Sequence, residues 1–118
     1  MTSRKSHKQR GSRFEVEVRD WFRNRKLKAE RLARTGKNDE GDVYVQAAVA
    51  DYVLEAKAPG AGNSIDLSGW LKEAEVEAAN YAKHRGLKTE PQPIVIIKAR
   101  GKSIDKAYVV TRLEDYPW

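Results

Sequence analysis

The residues best suited to chemistry are Asp42 and the stretch Val53-Leu54-Glu55-Ala56-Lys57. Side chains alternate across a strand, so Glu55 and Lys57 project from one face while Leu54 and Ala56 take the other. Asp42 opens the preceding β-type run. If the two runs pair antiparallel through a turn near Ala48 to Ala50, Asp42 comes to lie beside the end of the second run, and an Asp, a Glu and a Lys converge. Carboxylate oxygens suit Mg²⁺ or Mn²⁺, which keeps several waters and takes one or two protein carboxylates. A lysine beside such an ion can hold, or help deprotonate, an attacking water, and the ion polarises a phosphoryl oxygen. The plain alternative is two surface strands carrying an ordinary Glu–Lys neighbour pair.

The elements that must position these residues follow from periodicity. Phe14, Val18, Trp21 and Phe22 share one helical face, which predicts a helix from Ser12 to about Lys26. Leu27 to Arg34 reads as a strand, Thr35 to Gly41 as a loop of turn formers, and Asp42 to Ala48 as a second strand with Val43, Val45 and Ala47 on one face. Asp51 to Lys57 is a third strand, followed by a Gly-rich loop over Pro59 to Asn63. Trp70, Ala74, Ala78 and Tyr81 define a second helix from Ser68 to about His84. The β-branched run Ile94 to Ala99 suits a buried strand, and Ala107 to Thr111 a last one. The expected order is α-β-β-β-α-β-β: a single domain over residues 11–118, preceded by a basic tail over 1–10 expected to be disordered in isolation.

Composition narrows the partners. The 118 residues carry 23 Lys plus Arg against 17 Asp plus Glu, a net charge of +6, with a pI near 9.6. The excess is clustered: Arg4, Lys5, Lys8, Arg10 and Arg13 in the tail, then Arg23 through Lys37. Such clusters attract a polyanion such as a nucleic acid, although a solvated face would carry the same charge. Mean hydropathy is -0.76 and no apolar run is long enough for a spanning helix, which argues against a membrane protein. The absence of cysteine removes any thiolate site and fits a cytoplasmic protein. With only His7 and His84 as imidazoles, a metal here would rest on carboxylates.

With these residues in this order, the chain resembles the PD-(D/E)xK nuclease superfamily, and within it the archaeal and phage-type Holliday junction resolvases. The resemblance covers roughly residues 10–111. It implies a restriction-endonuclease-like α/β fold, an αβββαβ core with a central mixed β-sheet flanked by helices. It maps the acidic dyad and lysine onto Asp42, Glu55 and Lys57, with the Ala56 carbonyl as a further metal ligand. The resolvases open their first helix with Gly-x-x-x-Glu, matched here by Gly11-Ser12-Arg13-Phe14-Glu15. One departure stands out: Gly41, not proline, precedes Asp42.

Two acids carry competing readings. Ser12-x-x-Glu15 is a capping box, whereas the resemblance makes Glu15 a metal ligand. On the wheel Glu15 lies roughly 75° from the centre of the apolar face, at the border of the core. Glu77 falls on the apolar face of the second helix, where a charge is costly unless paired. Relatives place Gln-x-x-x-Tyr there, and Glu77 to Tyr81 is similar, so both residues are candidates for supporting the site. Arg10, Arg13, Arg34 and Lys37 are candidate phosphate contacts, joined through the resemblance by Thr35. Tyr116 and Trp118 are expected to cover the edge of the core. What the resemblance implies is a Mg²⁺- or Mn²⁺-dependent endonuclease acting on DNA, as a homodimer that resolves four-way junctions. Two alternatives stand beside it: another nuclease of the superfamily acting on duplex or flap DNA in repair or restriction, and a DNA-binding module without catalysis.

Overall fold

The computed structural model describes residues 4–33 and 39–118, with side chains from Ser12 onward. Helix α1 (Arg4–Arg23) leads into strands β1 (Lys28–Arg31), β2 (Val43–Gln46) and β3 (Asp51–Lys57). Helix α2 (Leu67–Arg85) crosses to β4 (Gln92–Ile97), and β5 (Tyr108–Val110) closes the sheet, with short 3₁₀ turns at Ile104–Lys106 and Leu113–Asp115. The five strands lie in chain order. β3 and β4 run parallel, joined by the α2 crossover, and every other pair is antiparallel. This is the mixed sheet between helices that the sequence implied.

Each helix covers one face of the sheet. Phe14 and Val18 of α1 pack on Ala29, Val43, Val45, Leu54, Ala56 and Ile96. On the other face, Leu71 and Ala74 of α2 meet Val95 and Ile97, while Ala78 and Tyr81 meet Val53. A sheet covered on both sides needs apolar residues at successive positions of its central strands, which explains the unbroken Val-Ile-Ile of β4. β3 has a longer run, four buried residues, but one of them is Glu55.

Helix α1 begins earlier than expected. It runs from Arg4, so the backbone of 4–10 lies in the helix rather than in a separate tail. Lys, Gln and Arg are strong helix formers, and nothing in that segment breaks a helix. Ser12 is therefore interior to α1 and forms no capping box with Glu15. β1 is also shorter than the expected Leu27 to Arg34. Helix α2 is capped at both ends: Asp66 accepts a hydrogen bond from the Gly69 amide, and Gly86 takes the left-handed conformation at φ 62°. Tyr116 and Trp118 do not cover the core. Their rings pack against each other, centroids 4.8 Å apart and planes tilted at 59°, with Trp118 89% exposed, because the chain end lies beyond the last strand. Among the described residues no helix is long and apolar enough to cross a membrane.

The approach to β2 is built around Gly41. Its φ of +101° is closed to proline and strained for any side chain, and a Cβ would stand 2.5 Å from Val53 Cγ1. The departure at this position thus has a steric reason. We expect Gly41→Ala to cost about 2–4 kcal/mol in a denaturant titration, from strain and overpacking together. A cost below 1 kcal/mol, by the same measure, would mean that this backbone relaxes freely.

Candidate metal and active site

At one end of the sheet, the start of β2 meets the end of β3. Leu54 accepts from the Asp42 amide at 2.9 Å, and the Ala56 amide donates to Asp42 Oδ2 at 2.8 Å. The antiparallel pairing anticipated from the sequence therefore does bring Asp42 beside Glu55 and Lys57. Glu55 points toward α2 and is buried, and Lys57 Nζ lies 3.6 Å from Glu55 Oε1. Glu15 enters from α1, buried and 3.1 Å from an Arg31 guanidinium nitrogen. Its charge is felt at Asp42. Arg31 ties Glu15 to the sheet, the role that a helix-capping interaction would have filled in the sequence reading.

Glu77 completes the cluster from the other helix. It is buried among the apolar residues of α2 and close enough to Glu55 to share a proton with it. Glu73, which the sequence reading passed over, sits one turn earlier, with its two oxygens 3.2 and 3.4 Å from Lys57 Nζ. A ligand oxygen from each of Glu55, Glu73 and Glu77 lies within 4.8 Å of the others. The signal was faint: like charges at i and i+4 destabilise a helix, and Glu73 and Glu77 have that spacing, but Glu73 is exposed and reads as an ordinary surface acid. Tyr81, by contrast, stacks on Tyr44 at 4.9 Å and carries the Arg85 guanidinium over its other face at 3.7 Å. Its contacts are those of packing.

The electrostatics of these residues fit a cation. Burial, then the Glu55 charge, pushes the Asp42 carboxyl up to about 8. Burial and Glu77 push Glu55 to about 8, and burial puts Glu77 at about 7, with Glu73 and Asp42 adding to it. Glu55 Oε2 and Glu77 Oε2 are buried with no hydrogen-bond donor among the described residues. An all-oxygen donor set with orphaned, mutually repelling oxygens suits a hard divalent cation. Burial alone would depress the Lys57 ammonium, but Glu55, Glu73 and Asp42 outweigh it and hold it protonated. Glu73 and Glu77 also line a groove of about 400 Å³ with Asp39, Lys72 and Asn80, through which the cluster opens to solvent.

The loop into Asp42 is clamped by α2. Asn80 donates to the Asp39 carbonyl at 3.0 Å, and His84 and Arg85 both reach the buried Glu40 carboxylate. Burial would raise Glu40, but Arg85 and His84 together hold it below its usual range. Arg13 is exposed on α1. Arg34, Thr35 and Lys37 lie outside the described residues, as does the Arg10 side chain.

The molecule is thus a three-layer α/β domain whose acids gather at one end of a mixed sheet. No family model and no curated protein matches this chain. Among solved structures it is similar to Hjc, a Holliday junction resolvase from the archaeal hyperthermophile Archaeoglobus fulgidus, with a TM-score of 0.56 and 16% identity over 84% of this chain and 73% of that one. At that identity the likeness is one of fold.

The raised acids bind protons more tightly in the folded chain than in the unfolded one, so raising the pH from about 4 to about 8 erodes the stability of the cation-free protein. We expect the melting temperature in chelator to fall across that window. Glu77→Gln should raise it at about pH 8, opposite to the usual cost of altering a buried polar group. A Glu77→Gln protein that melts lower than wild type under these conditions would show that the cluster is not short of positive charge.

Proposed function

We propose that this chain is a metal-dependent endonuclease that hydrolyses DNA phosphodiesters, and that it acts as a homodimer on four-way junctions. The observation that carries the chemistry is the convergence of Asp42, Glu55 and Lys57 around buried carboxylate oxygens that lack donors. A module that only binds DNA gains nothing from acids held against phosphate, since they weaken the attraction its basic surface provides.

In this reading Asp42 and Glu55 hold a Mg²⁺ or Mn²⁺ ion, with the Ala56 carbonyl and Glu15 as further ligands. The bound ion would polarise the phosphoryl group and stabilise the leaving oxygen. The Ala56 amide fixes the Asp42 carboxylate, and Arg31 fixes Glu15. Lys57, held in its charged form, orients the attacking water and offsets charge on the phosphate; it is a donor, not a base, until Glu73 or Glu55 lets it go. Glu77 and Glu73 keep Glu55 and Lys57 in place from α2 and are open to the ion themselves.

The substrate reading rests on the fold shared with a resolvase, on the resemblance at Gly11 to Glu15, and on economy. A four-way junction has two-fold symmetry and needs two matched nicks, which a C2 dimer supplies. A domain this small has little surface for reading a long sequence, so shape and phosphate contacts are the accessible route.

Asp42→Asn and Glu55→Gln should each lower junction cleavage in Mg²⁺ about a thousandfold or more, equivalent to roughly 4 kcal/mol of transition-state stabilisation. DNA binding should survive both changes. The measurement is a cleavage panel of four-way junction, flap, linear duplex and single strand of shared sequence, run with Mg²⁺ and with chelator. Near-wild-type cutting by either variant, or cutting in chelator, would remove the metal mechanism. Equal cutting of duplex and junction by a monomer would remove the resolvase assignment and leave a nuclease.

A further inference from the structure

A second cleft opens at the same end of the sheet, one strand along from the acids. Its walls are Arg13 and Phe14 of α1, the turn Ala58-Pro59-Gly60-Ala61 that follows β3, and Lys98, Arg100 and Gly101 after β4. Its volume is about 270 Å³. The two turns are tied at their base, where the Lys98 amide donates to the Lys57 carbonyl at 2.9 Å. The cleft therefore begins where Lys57 ends, and Arg13 stands two residues before Glu15 on the same helix.

Its chemistry is the reverse of the acid cluster. Arg13, Lys98 and Arg100 bring three cations to one concavity, and none forms an ion pair or hydrogen bond with its side chain among the described residues. Elsewhere on the described chain Arg31, Lys57, Arg85 and Arg112 have carboxylate partners, and Arg23 and Arg25 donate to backbone carbonyls. The remaining lining is small: Ala58, Pro59, Gly60, Ala61 and Gly101. Such residues let a ligand approach the backbone closely. The Gly60, Ala61 and Gly101 amides donate no hydrogen bond within the described residues. Like-charged side chains brought together beside unspent amides repel one another unless an anion enters.

We propose that this cleft, formed by Arg13, Lys98, Arg100 and the Gly60 turn, binds a backbone phosphate of the same DNA strand whose neighbouring phosphate lies over Asp42 and Glu55. This deepens the endonuclease reading and rests on it for the identity of the strand. Lys98 and Arg100 then set where along the strand the cut falls, because a phosphate seated here fixes the register of the next one over the acids.

The test uses the full chain and a four-way DNA junction, with binding measured in chelator and cleavage measured separately in Mg²⁺. The Lys98→Ala/Arg100→Ala double variant should bind roughly tenfold more weakly, in line with the loss of charge-assisted hydrogen bonds to phosphate. The slope of log affinity against log salt should fall by about 1, one phosphate released. Lys98→Arg/Arg100→Lys should restore both, while Lys88→Ala, on the loop before β4, should change neither. In Mg²⁺ the double variant should also scatter the cut over adjacent positions. Unchanged affinity and slope in a folded double variant would overturn the proposal while leaving cleavage, and so the endonuclease reading, intact. Loss of binding in a chain that cuts nothing would instead uphold the cleft as a phosphate site and reject the nuclease. A preference for 5′-phosphorylated over hydroxyl-ended arms that vanishes in the double variant would overturn the assignment to an internal phosphate.

Discussion

The hydrogen bond from the Ala56 amide to Asp42 Oδ2 joins the first residue before β2 to the last turns of β3, and most of the site depends on it. Leu54 and Leu32 hold the Asp42 backbone, but a ladder does not fix the rotamer of a side chain. Here the neighbouring strand offers an amide, so a carboxylate that would otherwise sample several rotamers is held in one. The same contact places Asp42 beside Glu55, where burial and the Glu55 charge raise the Asp42 carboxyl to about 8, while burial and Glu77 raise Glu55 to about 8. Folding thus positions a pair of acids that disfavour their own ionisation. That is a poor arrangement for stability and a good one for a cation, since a charge bound there relieves what the fold has stored.

The clamp behind Asp42 explains how the repulsion is tolerated. Gly41 passes close to Val53 and to Glu77 Oε2 with a backbone that only glycine adopts easily. Just upstream, Glu40 is buried but satisfied by Arg85 and His84, and the Asp39 carbonyl is satisfied by Asn80. All three donors lie on the last turns of α2, the helix that also supplies Glu73 and Glu77. One helix therefore both anchors the loop that delivers Asp42 and presents acids to Glu55.

β3 was legible to the residue because its alternation, its turn and its charged end agree with one another. So was the convergence of Asp42, Glu55 and Lys57, which needs only period-two geometry and one antiparallel hairpin. The start of α1 was not. Ser12 offers a cap, and that local signal outranked a run of Lys, Gln and Arg whose helix preference is spread over many weak contributions. Glu77 was visible as a charge on an apolar face, but its partner was not, because Glu55 is far away in sequence. Glu73 was hidden for a related reason: on a wheel it resembles any solvent-facing acid until β3 brings Lys57 against it.

The opposition of the two concavities at one end of the sheet bears on how a polyanion could be held there at all. Acids alone repel phosphate, and a cation among them neutralises only part of that repulsion. A strand lying across this end must therefore gain its attraction from flanking positions. The cleft of Arg13, Lys98 and Arg100 provides one such position on the β4 side, with cations that no described carboxylate competes for. Strength of binding and capacity for chemistry then reside in different residues. Carboxylates near Lys57 can be tuned toward the ion without loosening the hold on the strand, and the hold can be tuned by Lys98 and Arg100 without touching the acids.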